Sequence, residues 1–393
     1  MQIRLAELSG RADVAAAVDY LHREDESTLA TQIALSEIPA PPFQEARRAE
    51  RLAELLDTTC AGRVERDATG NVIGRRSGVV DAPPMVVAAH LDTVFPGDVD
   101  VRVTRDGPVL RGPGISDDAR GLAALVALSR ALDAGDVRTR SPLLFVGTVG
   151  EEGPGDLRGV KQLFAENGHA RAAGAFVSLD GAGLERIVAE GLGSRRYRIT
   201  LDGPGGHSWV DFGTPNPAHA LVALGSRLSG LPLGTEPKTT LTIARVGGGK
   251  SINAIPQSAW MEIDLRGAKA AALASLVREV ERAVGVERER QPDLNIRMEM
   301  IGDRPGGATD PDCDLVRAAV AATLKVAKEP RMALSSTDAN IPMTLGIPAI
   351  TIGCGGEAGK AHTTDEWYRN TDGPAGIERA LYTLLLTVGL EDA

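Results

Sequence analysis

Residues 84–91 read PMVVAAHL, a continuous apolar run that opens on a turn former and reaches a histidine at its far end. A run without polar alternation suits a short strand buried on both faces. Residues 142–149 (PLLFVGTV) and 175–179 (AFVSL) repeat the pattern. Helical periodicity lies between and before these runs, at 26–38, 43–57 and 122–132, with Pro39, Pro41 and Pro42 separating the first two helices. A turn at 68–70 precedes a short strand at 71–75. Buried strands alternating with helices predict an α/β fold: a mixed, mainly parallel sheet with helices on both faces.

The rhythm changes after about residue 190. Residues 196–201 (RYRITL) alternate polar and apolar, as a strand with one wet face does. A helix at 217–229, strands at 239–246 and 258–265, an amphipathic helix at 269–284 and a strand at 294–300 follow. This β-α-β-β-α-β order predicts an antiparallel sheet with its helices on one side. The α/β rhythm resumes near 311, with a strand at 348–352 and a last helix from 375. The chain thus divides into a catalytic domain in two parts, 1–192 and 304–393, and an inserted α+β domain at 193–303.

Composition narrows the class. The chain has 393 residues, 43% hydrophobic and 24% charged, enough for a large core and too apolar for wholesale disorder. A formal net charge of -10 argues against a broad nucleic-acid surface, which needs a basic face. Cys60, Cys313 and Cys354 are far apart and form no CxxC pair. Charges break the opening MQIRLAELSGRADV too early for a signal-peptide core, and no run of about 18 apolar residues would span a membrane. A soluble, cytoplasmic protein is expected.

Chemistry gathers at the strand ends. His90 and Asp92 close the first run, two apart and so on one face, where a carboxylate can fix an imidazole while the free nitrogen binds a metal. Taken alone, such a pair is more often a polar strand end. Asp117 and Asp118 sit in a glycine-rich loop before a helix, where one can cap the helix and the other turn inward. Glu151 and Glu152 follow the second run, and paired glutamates there need a cation or a shared proton. Asp180 ends the third run, and His362 lies in AHTTDE near the end of the larger domain. Open α/β sheets bind ligands at these strand ends. Five mixed N/O ligands suit two zinc-like ions that share one carboxylate, with a remaining glutamate as general base.

In this order the motifs resemble the dinuclear zinc peptidase superfamily of aminoacylase, acetylornithine deacetylase, glutamate carboxypeptidase and peptidase T, over nearly the whole chain. AAHLDTV resembles its metal-binding His and assisting Asp, which places those roles on His90 and Asp92. GPGISDDARG resembles the loop of the bridging aspartate, Asp117, although Arg120 follows where the family often has Lys nearer the pair. GTVGEEGP resembles the base and ligand pair, Glu151 and Glu152; SLDG and AHTTDEW supply Asp180 and His362. The resemblance implies His90, Asp117 and Asp180 on one ion and Asp117, Glu152 and His362 on the other, with zinc first and cobalt or manganese possible. GPGGHS, INAIP and DLR resemble lid motifs, implying His207 as a donor to the scissile carbonyl and Asn253 and Arg266 as substrate-binding residues. Residues 336–340 and 353–359 resemble loops that face the substrate. In dimeric relatives the lid histidine reaches the partner's cleft, so the insert is expected to serve as lid and dimerisation domain of a homodimer.

Other classes fit less well. The stretch GGGKS at 247–251 lacks a phosphate loop's first glycine, because Ala244 stands there, and no helix follows before Pro256. No GxSxG elbow and no HExxH occurs. A non-catalytic binding protein would have lost a ligand or the base, and none is missing. His22, His169 and His219 read as surface or structural, Trp209 as pocket wall or, by preference, lid core, and Arg266 equally as a structural ion pair with Glu262 or Asp264. The sequence therefore predicts a metal-dependent hydrolase that cleaves the peptide bond of small peptides, nearest the peptidase T-like branch. The alternative is an N-acyl-amino-acid amidohydrolase (aminoacylase or deacetylase).

Overall fold

The computed structural model describes residues 1–60, 63–326 and 329–391. They form two compact units, one built from residues up to Glu190 and from Ala308 onward, the other from Gly191–Gly307.

In the first unit the strands Leu143–Thr148, Met85–His90, Ala175–Leu179 and Ala349–Ile352 lie side by side and parallel. Antiparallel strands Val72–Arg76 and Arg186–Gly191 flank them. Every residue of the four central strands is buried. The reason lies in their alternation. Met85, Val87 and Ala89 pack into one apolar cluster with the helices Ala119–Ala134 and Gly373–Val388, while Val86 and Ala88 pack into another with Val160 and Leu163 of Arg158–Leu163. Both faces are covered by apolar clusters, so the strands carry no charged residue before their ends, and that is where His90 stands.

Several parts of this unit lie outside the sequence expectations, among them the helix Arg158–Leu163 and the flanking strand Arg186–Gly191. Helices Gln2–Ser9 and Ala12–Arg23 open the chain and bury Leu5, Leu8, Val14, Ala17 and Leu21. A small antiparallel sheet joins Thr104–Asp106 and Val109–Arg111 to Glu357–Gly359 and Trp367–Arg369. Its strands are only three residues long, too short to show a period.

The second unit is a four-stranded antiparallel sheet in the order Thr239–Gly248, Ser258–Gly267, Gly193–Asp202, Asn295–Arg304. Inward residues of these strands, such as Ile199, Leu201, Met261 and Ile263, share a core with Leu224 of Pro217–Ser229 and Val280 of Ala270–Arg290. The second helix runs past the expected residue 284 because its charged last turns stay amphipathic: Glu287 is buried among arginines and glutamates that face water. Residues 247–248 are strand, not a phosphate loop.

Trp209 corrects an expectation. It is 85% exposed, with Val210 at 76% and Phe212 at 87%. These residues follow a two-residue pairing of Gly206–His207 with Ala254–Ile255, outside the sheet-and-helix core, so no wall of the unit is there to cover them.

Candidate metal centre

The parallel strands deliver their C-terminal ends to one edge of the sheet. His90 is the last residue of its strand; Glu151 and Glu152 come just after Leu143–Thr148; Asp180 comes just after Ala175–Leu179. Asp117 arrives on the loop before Ala119–Ala134, and His362 on the loop before Trp367–Arg369. His362 holds a left-handed backbone (φ 65°).

The side chains converge in two groups. Donor atoms of His90, Asp117 and Asp180 lie within 4.8 Å of one another, and so do those of Asp117, Glu152 and His362. Asp117 belongs to both: its Oδ1 is 2.9 Å from His90 Nε2 and its Oδ2 is 3.0 Å from His362 Nε2. Glu152 Oε1 is 2.8 Å from the same His362 nitrogen. A third grouping sets Glu151 and Glu152 beside His90, so proximity to His90 does not tell the two glutamates apart; contact with His362 singles out Glu152.

The electrostatics follow from burial beside like charge. Burial, and then the Asp117 charge, push the Asp180 carboxyl up to about 6. Hydrogen bonds to Asp117 and Glu152 carry His362 up to about 10. Burial would raise Asp117, but the two imidazoles outweigh it and hold the carboxyl low. Crowded carboxylates of this kind call for cationic compensation.

The surrounding contacts depart from the expected HxD arrangement. His90 Nδ1 is 2.9 Å from the backbone carbonyl of Asp92, whereas the Asp92 carboxylate stands 3.8 Å away. That carboxylate instead accepts the backbone N–H groups of Glu151 and Glu152, at 2.9 and 2.8 Å. The strand ends at His90, so the period-two argument lapses one residue before Asp92. Asp118 does cap its helix through the Gly121 N–H, and it also accepts from His90 N and Gly181 N, at 3.1 and 3.0 Å. Burial raises its carboxyl well above the usual range. Two further buried residues serve the site without a sequence motif of their own having been assigned. Arg48, lowered to about 10 by burial, donates to the carbonyls of Leu91 and Ile38. Glu366, pushed by burial to about 7, accepts three N–H groups of the Asp117 loop.

Arg120 is buried and points to the carbonyls of Cys354 and Gly373, 5.2 Å from the Tyr368 ring. In the 336–340 segment, Asp338 is buried and accepts from Thr148 Oγ1 at 2.5 Å, so it braces a strand end. His22 meets Glu378, and His169 meets Arg75.

His207, Asn253 and Arg266 belong to the second unit. His207 is exposed, and its Nδ1 accepts the N–H groups of Trp209 and Val210 at 3.2 and 3.3 Å. A neutral imidazole that accepts at Nδ1 carries its proton on Nε2, so this exposed ring keeps one donor. Asn253 Oδ1 takes the Ser251 hydroxyl at 2.6 Å, and its carbonyl takes Ser208 N at 3.0 Å. Arg266 is paired with Asp264 at 2.7 Å.

The profile of peptidase family M20/M25/M40 matches residues 86–386. The chain belongs to this family. It is accordingly a hydrolytic enzyme that acts on C–N bonds, within a metal-dependent family. Among its relatives, a succinyl-diaminopimelate desuccinylase of Gluconacetobacter diazotrophicus is 30% identical over 276 residues, covering 65% of this chain and 68% of that one. A second, from Corynebacterium glutamicum, is 25% identical and covers 84% and 89%. Among solved structures, the fold resembles aminopeptidase PepT from Bacillus cereus, with TM-score 0.73, 20% identity and coverage of 93% and 99%. It also resembles human carnosine dipeptidase 1, with TM-score 0.69, 15% identity and coverage of 95% and 99%. No helix among the described residues is long and apolar enough to cross a membrane.

Imidazole and carboxylate donors in two groups that share one aspartate fit a pair of divalent ions.

Proposed function

We propose that the protein hydrolyses the peptide bond of small peptides at a centre of two divalent ions, zinc first, with cobalt and manganese as alternatives. The observation that supports this best is the position of Asp117 in both donor groups. His90, Asp117 and Asp180 would hold one ion, and Asp117, Glu152 and His362 the other. Bound ions would supply Lewis acidity toward the carbonyl and lower the pKa of a nearby water. Glu151 takes the proton of the attacking water and returns it to the leaving amine. Asp92 positions Glu151 and Glu152 by fixing their backbone N–H groups. His207, whose exposed ring keeps a donor at Nε2, donates to the developing oxyanion. Asn253 and Arg266 take a polar or carboxylate end of the substrate, Arg266 by exchanging or sharing its Asp264 partner.

The same reading assigns the second unit the part of lid and dimerisation domain of a cytoplasmic homodimer. The exposed strip Trp209, Val210, Phe212 and Ile252 supports a surface that a partner covers.

A second reading, hydrolysis of an N-acyl amino acid, is favoured by the named desuccinylases among the sequence relatives. One panel separates the two: di- and tripeptides beside N-acetyl and N-succinyl amino acids, each with zinc, cobalt or manganese. Turnover confined to peptides supports the first reading, and turnover confined to N-acyl compounds replaces it with the second.

A further inference from the structure

We infer that Glu366 is a positioning residue for the metal centre: it fixes the bridging aspartate against the segment that carries the terminal histidine. The inference rests on the dinuclear reading above and adds a residue to it. The observation begins at a ladder. Val109–Arg111 pairs antiparallel with Trp367–Arg369, and the last pair is Arg111 with Trp367. One step further, Gly112 N still donates to the Glu366 carbonyl at 3.0 Å. The two chains then part, because Gly114 turns into the left-handed region (φ 73°) and the loop curls toward Asp117.

From that point the loop's N–H groups have no strand partner, and buried N–H groups need acceptors. The Glu366 side chain replaces the strand. Its Oε2 accepts Gly114 N at 2.9 Å, and its Oε1 accepts both Ser116 N and Asp117 N at 2.9 Å. With the carbonyl, one residue makes four hydrogen bonds to the stretch 112–117. Glu366 is wholly buried (0% exposed), so water cannot substitute for it. It also stands four residues after His362, on the same loop. The Glu366 side chain therefore carries the hold of the ladder onward to Asp117, and so helps to set its spacing from His362, two of the three residues that the dinuclear reading places on one ion. The Asp117 backbone N–H is itself one of the bonds, so the orientation of the shared carboxylate depends on it directly.

Glu366→Gln tests this with almost no change in shape. An amide has one acceptor oxygen, and its NH₂ must then face at least one loop N–H. Zinc affinity is read on the metal-free full chain by competition with a chromophoric chelator, at folded fractions matched by circular dichroism. Loss of such an outer partner costs about 10–100-fold in metal affinity. That loss is expected in Glu366→Gln, with both ions affected because Asp117 serves both. Glu26→Gln is the control. It breaks an exposed ion pair with Arg105 on the same small sheet and leaves the loop untouched, so it should bind zinc like the wild type. If Glu366→Gln does not fold, Glu366→Asp, which keeps the carboxylate but draws it back, carries the same test and the same expectation of weakening. A folded variant that binds two equivalents with wild-type affinity, even with a lowered Tm, overturns the inference and leaves the dinuclear reading standing. A wild-type chain that binds fewer than two equivalents overturns both.

Discussion

Glu151 and Glu152 are neighbours in sequence, both buried, and both held through their backbone N–H groups by Asp92. Glu152 Oε1 lies 2.8 Å from His362 Nε2. The proposed roles, base for Glu151 and ligand for Glu152, have a direct test. Glu151→Gln is expected to lower kcat by about 10²–10⁴-fold while metal content stays at the wild-type level. Glu152→Gln is expected to lose metal. The opposite result in metal analysis would exchange the two roles. At this scale no single polar strand end is decisive; the recurrence of a histidine or acid after three apolar runs makes the cluster legible, and the structure brings those side chains together. The sequence was less readable where the partner is the backbone. Asp92 was expected to orient His90 through its carboxylate, and its carbonyl takes the ring instead. Glu366 and Arg48 act on main-chain groups of segments distant in sequence, so no local spacing marks them.

The elements explain why the site can be precise. Strands buried on both faces are positioned by packing from two sides, and Phe145 shows how strongly. It is wholly buried in the larger apolar cluster, while its neighbours Leu144 and Val146 face the other cluster. Phe145→Ala is expected to destabilise the zinc-free protein by about 3–5 kcal/mol, the usual cost of emptying so large a core site. Denaturant unfolding followed by circular dichroism measures it, and a loss below about 1 kcal/mol would mean that the strand is not held as described. The central strands are legible as unbroken apolar runs between turn formers, and most helices as a period that runs for a full element. The small sheet that carries Trp367–Arg369 was not, since three-residue strands show no period. The first two helices are hard to read from sequence because their charged residues mask a buried stripe of Leu5, Leu8, Val14, Ala17 and Leu21.

For the whole molecule, every proposed metal ligand lies in the first unit, although Asp117 and His362 are 245 positions apart. Chain order therefore says little about which of these side chains meet, and the shared sheet edge says most of it. The second unit has its own core and an exposed apolar strip at Trp209, Val210 and Phe212. A tryptophan beside glycines looks like core in a sequence, because nothing there shows that the local pairing is only two residues long. The central claim is that one aspartate serves two ions, and zinc stoichiometry tests it most directly. Chelated protein, titrated with zinc and analysed for bound metal after desalting, should retain two equivalents per chain in the wild type. Asp117→Ala should lose affinity at both positions. A wild type that saturates at one equivalent, or an Asp117→Ala variant that keeps two at wild-type affinity, would contradict the account.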